Sequence, residues 1–368
     1  MKGSGDAPLE QFAALTGVRG LAALWVAAMH FSRETTLLLP ASASVGWFVG
    51  QGSDAVLLFF ILSGFILLHT YRAQFEIFSW REYFHFLWLR LARIYPAYLA
   101  TLGLMVGLVL ASVVAGVAYS KEAYPLARLP WEALMLHRWW WTDFFGWNYP
   151  DWSISAEWFA YLFIFPLAVW LLKRLAGCRV GVIGAIFIGL IALEPAIRTE
   201  WKLSLVSLLF LAGALLWELR RRCRWSGREV PPHLDSVAVL FVFTVLWFAP
   251  PLGAYLSAAL FLLAVGLLLL GLSRADGIVS RLLAWSPIVF LGDISYSIYL
   301  SHGVVQRILK IILPADKFAA SPLAVRVGVL LTFVLALFAL SLCVYFTVER
   351  PARNWLRRRK VASVPLPG

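Results

Sequence analysis

Charged side chains are scarce in this sequence. Only 14% of its 368 residues are Asp, Glu, Lys or Arg, and 61% are hydrophobic, whereas roughly 25% of the residues in a soluble domain are charged. The composition therefore excludes an ordinary soluble domain and indicates a chain that crosses a membrane several times. The net charge of +12 does not point to nucleic acid, because the basic residues separate apolar segments and form no cluster on a soluble face.

Cysteine is rare as well. Cys178, Cys223 and Cys343 show no paired spacing, so neither a disulfide framework nor a metal site is predicted. Residues 1–15 lack the basic segment, short apolar block and cleavage site of a signal peptide, so we expect the first apolar segment to remain as a helix. No internal repeat or appended soluble domain is recognisable. We expect one transmembrane domain over residues 1–368, with a short basic cytoplasmic tail at 348–368.

Apolar runs long enough to cross a bilayer recur along the chain. A hydrocarbon core of about 30 Å requires roughly 20 apolar residues in a helix. We therefore predict an all-α polytopic integral membrane protein with about ten transmembrane helices. The predicted spans are 13–31, 47–70, 86–112, 152–173, 180–196, 203–219, 236–250, 253–273, 286–305 and 322–347. Because of Pro250 and Pro251, residues 236–273 could form two helices or one broken helix.

The basic residues also indicate an orientation. With ten spans and a cytoplasmic N-terminus, most Lys and Arg residues fall in segments that face the cytoplasm, among them the terminal "ERPARNWLRRRK". The positive-inside rule therefore favours a cytoplasmic location for both termini. We expect a multi-pass protein of a cell membrane, such as the bacterial inner membrane. The outer connection from 113 to 151 is rich in tryptophan, which is typical of an interfacial aromatic belt and would also suit stacking on a sugar.

Ionisable side chains inside apolar segments are the candidate functional residues, because lipid tolerates them only with a partner or a wet cavity. Arg19 and His30 are eleven residues apart in the first span, about 16 Å and three helical turns, which places them on one face at different depths. His30 could also be an interfacial histidine. Arg90 and Arg93 share a face at the start of the third span, either as snorkelling residues or as a clamp for phosphates.

Two later spans carry further polar groups. Glu157 follows Ser153 and Ser155 within an apolar run, where a carboxylate is either part of a structural ion pair or catalytic. The ninth span is rich in polar side chains, which could line a polar cavity or join packed helices. These side chains are Asp293, Ser295, Tyr296, Ser297, Tyr299, Ser301 and His302.

Six motifs occur in the order seen in the membrane-bound acyltransferase-3 family, and together they extend over nearly the whole chain. The chain therefore resembles this family. The motifs are Arg19 followed after ten residues by His30, "FFILSGFIL" at 59–67, "RLARIYP" at 90–96, "WSISAE" at 152–157, "LGDISYSIYLSH" at 291–302 and "VERP" at 348–351.

The resemblance implies a ten-helix membrane O-acyltransferase. Such an enzyme takes an acyl group, often acetyl, from cytoplasmic acyl-CoA and transfers it to a hydroxyl of an envelope or exported carbohydrate or glycolipid. Acyl-CoA is then a co-substrate, with acetyl-CoA the expected one, and no permanently bound cofactor or metal is expected. The family's proposed catalytic histidine corresponds to His30 and its acidic residue to Glu157. Its preceding arginine corresponds to Arg19, and the pair implicated with the CoA donor to Arg90 and Arg93.

The chain departs from the family pattern at two positions. Thr16 and Leu57 stand where the family often has acidic residues, and Asp54 lies about one helical turn before Leu57. These departures weaken the expectation of carboxylates that support the catalytic residues.

A reaction can be written on these residues. Arg19, Arg90 and Arg93 bind the CoA phosphates, and His30 accepts the proton of the acceptor hydroxyl as a general base. Glu157 orients His30 or pairs with an arginine. The candidate substrate-binding residues are Ser155, Tyr296 and His302, and the candidate donors to the oxyanion are Tyr296, Ser63 and Ser155.

Two alternatives stay open at this point. An acyl-histidine intermediate is the other chemical route. A multi-span transporter of a glycolipid or small solute is the alternative function, although no inverted repeat supports it.

Overall fold

The structure is a computed structural model that describes residues 12–116, 122–140, 146–178, 180–197, 202–225, 230–248 and 252–361. All regular secondary structure within these ranges is helical. The α-helices are α1 Ala13–His30, α2 Ser32–Leu38, α3 Gly46–Val49, α4 Asp54–Tyr71, α5 Trp80–Val114, α6 Leu129–Ala133, α7 His137–Trp140, α8 Trp152–Phe159, α9 Phe165–Arg174, α10 Val180–Ile197, α11 Lys202–Trp225, α12 Leu234–Phe248, α13 Ala254–Leu272, α14 Ile278–Leu283, α15 Ser286–Asp293, α16 Ser295–Ile312, α17 Ala315–Phe318, α18 Leu323–Val344 and α19 Arg350–Val361.

Six helical stretches in the described part of the chain are long and apolar enough to cross a membrane. They are Ala13–His30, Pro40–Phe75, Trp80–Val114, Tyr149–Arg174, Leu203–Cys223 and Leu323–Arg357. The pair α15 and α16, bent by 61°, makes a seventh if it is counted as one span. Three shorter apolar helices lie at Gly181–Leu190, Leu234–Phe248 and Ala259–Leu272. Each of the ten predicted segments is thus helical over most of its described residues, while the count of ten spans and the location of the termini remain predictions.

The structure refines three of the predicted spans. The third predicted span begins six residues earlier, at Trp80 instead of residue 86, so Arg90 and Arg93 lie well inside α5. The ninth is not one straight helix, because the chain bends between α15 and α16. The segment 236–273 forms two helices, α12 and α13, which pack against each other; Pro250 and Pro251 lie outside the described residues.

The ends and one connection are described only in part. Residues 350–361 of the predicted tail form α19, whereas 362–368 and the N-terminal residues 1–11 lie outside the described ranges. The tryptophan-rich connection contains α6 and α7, and its residues 117–121 and 141–145 are likewise outside.

The chain forms two compact units. The first comprises residues 1–26, 51–76 and 163–295. Its helices α4 and α11 cross at Gly64 and Gly213. A Cβ atom on Gly64 would lie 2.1 Å from the carbonyl oxygen of Phe210, and one on Gly213 would lie 1.9 Å from that of Ile61. Only glycine permits so close a crossing of the two backbones, as is common between membrane helices.

The second unit comprises residues 27–50, 77–162 and 296–368. Within it, α5 packs against α19 and against the π-helical turn Tyr345–Glu349. Helix α16 is tied to α5 by the Tyr296 hydroxyl, which donates to the Ile94 carbonyl at 2.7 Å. It is tied to the π-helical turn by the Ser297 hydroxyl, which donates to Glu349 at 2.7 Å. Of the predicted site residues, Arg19 and the candidate oxyanion donor Ser63 lie in the first unit, and the others lie in this one.

Candidate functional site

Three aromatic rings meet at the end of α1. His30 is the last residue of this helix, and its ring centroid lies 4.7 Å from that of Tyr149 and 4.9 Å from that of His302. The Tyr149 and His302 rings are 5.5 Å apart in an edge-on arrangement. His30 is half-buried, whereas His302 is completely buried. The structure therefore brings together two of the predicted site residues, His30 and His302, and adds Tyr149.

One face of α16 holds this end of α1 in place. His302, Gln306 and Lys310 are spaced by four residues, so they lie along one side of a helix. The amide of Gln306 donates to the backbone carbonyl of His30 at 2.6 Å. Lys310 forms an ion pair with the buried Glu34 of α2 at 3.4 Å. Because the last carbonyls of a helix have no partner within the helix, the Gln306 amide also caps α1.

The turn that carries Tyr149 is fastened to the same helix. The side-chain amide nitrogen of Asn148 donates to the carbonyl of Leu300 and to Asp151, at 3.0 Å in each case. A Cβ atom on Gly303 would lie 2.3 Å from the side-chain amide oxygen of Asn148. Glycine at this position of α16 therefore allows the close approach that brings the Tyr149 ring to His30.

A buried carboxyl group supports this turn from α6. Glu132 accepts a hydrogen bond from the backbone N–H of Trp147 at 2.7 Å, and its backbone carbonyl accepts one from the Tyr98 hydroxyl at 2.7 Å. Burial raises the pKa of Glu132 to about 8, against the smaller lowering effect of the hydrogen bond from Trp147. The group is therefore largely protonated at neutral pH.

The hydroxyls of Ser155 and Tyr296 have protein partners. Ser155 donates to the carbonyl of Met135 at 2.8 Å and accepts from the backbone N–H of Arg138 at 3.2 Å. Met135 has a φ of 57°, a left-handed conformation that is unusual for a side chain of this size, and the Ser155 bond holds it. Tyr296 donates to α5, as described above. Substrate binding by these two residues remains a prediction.

The other predicted residues occupy α1, α5 and α8. Arg90 and Arg93 are half-buried on α5, and the guanidinium of Arg90 lies 6.0 Å from the centre of the Phe86 ring. Glu157 of α8 accepts a hydrogen bond from Tyr161, one turn later. Arg19 lies on α1 in the first unit, so a path between it and His30 remains a prediction.

Sequence reasoning missed Tyr149, Gln306 and the pair of Glu34 and Lys310. The spacing of His302, Gln306 and Lys310 was a usable signal, because three polar residues four apart in an apolar span indicate a helix face with polar partners. Tyr149 gave no such signal, since tyrosine is ordinary in an aromatic-rich connection.

The composition and the helices define the class: this is an integral membrane protein of apolar helices. A family model described as an acyltransferase domain matches residues 12–348. The chain belongs to this acyltransferase-3 family.

Two relatives are similar to the chain. Acyltransferase MdmB of Streptomyces mycarofaciens is 29% identical over 96% of this chain and 95% of the relative. Protein 2 in picA locus of Rhizobium radiobacter is 38% identical over 27% of this chain and 47% of the relative. No solved structure matches. The resemblance inferred from the six motifs is thereby confirmed, and the chain is a membrane acyltransferase.

Proposed function

We propose that the protein is an acyl-CoA-dependent O-acyltransferase with His30 as its general base. It takes an acyl group, acetyl in the first instance, from cytoplasmic acyl-CoA and transfers it to a hydroxyl of an envelope or exported carbohydrate or glycolipid. The observation that supports this proposal is the setting of His30: a half-buried imidazole held between two rings at the end of a membrane helix, in a chain of an acyltransferase family.

The chemistry follows from the properties of imidazole. A neutral histidine has an unperturbed pKa near 6.5 and can accept a proton at physiological pH. His30 takes the proton of the acceptor hydroxyl while the oxygen attacks the thioester carbonyl. When the tetrahedral intermediate collapses, the carbon–sulfur bond breaks, and the protonated His30 returns the proton to the departing thiolate. The products are the ester and free CoA.

Arg90 and Arg93 are the proposed contacts of the CoA phosphates. Guanidinium groups bind phosphate oxygens through paired hydrogen bonds, and two arginines three residues apart present both groups on one face of α5. Arg19 is the proposed third contact. In this proposal Glu157 acts on His30 or on one of these arginines.

The proposal is tested with purified protein in detergent, supplied with radiolabelled acetyl-CoA and an alkyl glycoside as acceptor. We expect wild-type protein to form the acetylated glycoside. We expect the rate of His30→Ala to be about 10²- to 10⁴-fold lower, which is the usual contribution of a general base. His233→Ala is the matched control, because His233 is exposed. Near-wild-type turnover by His30→Ala would contradict the assignment. A transporter without transferase activity would form no acetylated product.

A second experiment tests the CoA contacts. We expect Arg90→Gln and Arg93→Gln to raise the KM for acetyl-CoA, with a smaller loss of rate at saturation, because the phosphates are bound equally in the ground and transition states. Arg281→Gln is the control, since Arg281 is exposed and lies in the first unit. If KM stayed unchanged in both variants, these arginines would instead be snorkelling residues.

A further inference from the structure

The side chain of His302 is completely enclosed by protein, which favours a role through a neighbouring residue over the direct substrate contact that the sequence predicted, and that contact remains a prediction. Its exposed fraction is 0%, whereas the adjacent His30 is half-buried. Neither ring nitrogen of His302 has a hydrogen-bond partner of standard geometry among the described residues, and the polar groups of its own helix that interact with the ring are the backbone carbonyls of Ile298 and Tyr299. A buried polar group in this condition requires an explanation, and a role in catalysis is one of the few available.

The surroundings of His302 favour a role toward His30. The titratable groups whose rings contact His302 are His30 from α1, Tyr149 from the turn before α8 and Tyr299 from its own helix, at 4.9, 5.5 and 5.7 Å between ring centres. Tyr299 has its own hydroxyl partner in Ser153, at 2.8 Å. The imidazole of His30 is thus the neighbour that can both donate and accept a proton near neutral pH.

We infer that His302 is a positioning residue for His30. Its ring holds the His30 imidazole against Tyr149, and one of its nitrogens accepts the hydrogen bond of the N–H that His30 turns away from substrate. This inference rests on the proposed function. Hydrogen bonds between catalytic groups commonly tighten only when substrate binds, which is compatible with a ring contact of 4.9 Å.

The physical basis is the charge that His30 gains during the reaction. A second positive charge at this distance is unfavourable, so His302 stays neutral while His30 is an imidazolium. A neutral imidazole beside the imidazolium stabilises it as an acceptor, as a carboxylate does for the histidine of a hydrolase triad. His302 neither gains nor loses a proton over the cycle, because the proton passes from the acceptor hydroxyl to His30 and then to the CoA sulfur.

Two of the polar residues of α16 hold different parts of His30. Gln306 fixes the backbone of His30 through its carbonyl, and His302 fixes the ring. Removing the His302 nitrogens while keeping an aromatic ring therefore separates the proposed hydrogen bond from simple packing. His302→Phe makes this change. His302→Gln makes the opposite one, since it keeps a polar acceptor and loses the ring.

The experiment measures kcat and the KM for acetyl-CoA with the alkyl glycoside as acceptor. We expect His302→Phe to lower kcat at least about tenfold, with a KM within about twofold of wild type, because an orienting residue acts in the transition state. We expect His302→Gln to retain more activity than His302→Phe. His233→Phe is the control at an exposed histidine. His302→Leu replaces the phenylalanine variant if that variant does not purify as a monodisperse protein.

The outcomes are distinguishable from failure of the proposed function. If His30→Ala is inactive while His302→Phe keeps near-wild-type kcat, the inference about His302 is wrong and the general base is retained. If His302→Phe equals or exceeds His302→Gln in kcat, the ring and not its nitrogens is what matters, which also overturns the inference. If His30→Ala is fully active, the proposed general base itself is wrong.

Discussion

Because of Glu132, we expect the free energy of unfolding of the protein to fall as the pH rises. Its carboxyl group is completely buried in α6, and burial raises its pKa from the ordinary value of 4.5 to about 8. Below pH 4.5 the group is neutral in the folded and the unfolded chain. Between pH 4.5 and 8 the unfolded chain loses the proton while the folded protein keeps it, so stability declines through this window.

The magnitude follows from the two pKa values. Each pKa unit corresponds to about 1.4 kcal/mol, so the carboxyl group lowers the free energy of unfolding by at most about 5 kcal/mol at a pH above 8. Glu132→Gln imitates the protonated group, since its amide oxygen can still accept the hydrogen bond from Trp147. The glutamine side chain carries no charge at any pH, so this variant is expected to lose the part of the pH dependence of stability that Glu132 causes.

The assay compares apparent melting temperatures in detergent at pH 5 and pH 8. We expect wild-type protein to melt at a lower temperature at pH 8 than at pH 5, and Glu132→Gln to show a clearly smaller difference. Glu122→Gln is the matched control, because Glu122 lies in the same connection and is exposed. Equal pH dependence in wild type and Glu132→Gln would refute the reasoning.

Two further predictions concern the supports of His30. Gly303→Ala places a methyl group 2.3 Å from the Asn148 side chain, so we expect a marked loss of acetyl transfer. Gly328→Ala on α18 is the control and should be neutral, because a Cβ atom there has nothing within 4 Å. Equal transfer rates in the two variants would contradict this prediction. Glu34→Lys and Lys310→Glu should each lower the transfer rate. The double variant should recover part of the rate, because it rebuilds the ion pair with its charges reversed. Strict additivity of the two losses would count against a functional ion pair.

The class, the family and the helical segments could be predicted from the sequence, because each depends on local composition or on motifs in a fixed order. The length of the spans could not be predicted reliably. Helices such as α5 extend beyond the apolar core of the segment, and the bend between α15 and α16 arises without a proline at the break. Residues 236–273 illustrate the same limit, since the sequence left one or two helices open and the structure has two, which pack against each other.

The candidate site was predictable in part for the same reason. His30 and His302 are conspicuous as ionisable groups in apolar runs, and each could be chosen from its own segment. Their ring contact joins α1 to α16 across more than half of the chain, and Tyr149 enters from a third segment. No pattern within one segment reports such contacts. They follow from tertiary packing, as at Gly303, where a missing side chain admits the Asn148 turn.

The polar residues of α16 show why composition alone gave two interpretations of this helix. The sequence allowed either a polar cavity or side chains that join packed helices. Tyr296 and Ser297 donate to α5 and to the π-helical turn, and Tyr299 pairs with Ser153 of α8. These hydroxyls are therefore joints between helices. His302 differs from them, because both of its nitrogens are buried without a standard hydrogen bond to a described residue. Because these three hydroxyls fix α16 to its neighbours, the helix can hold the His302 ring against that of His30. We therefore assign a structural role to Tyr296, Ser297 and Tyr299 and the proposed functional role to His302.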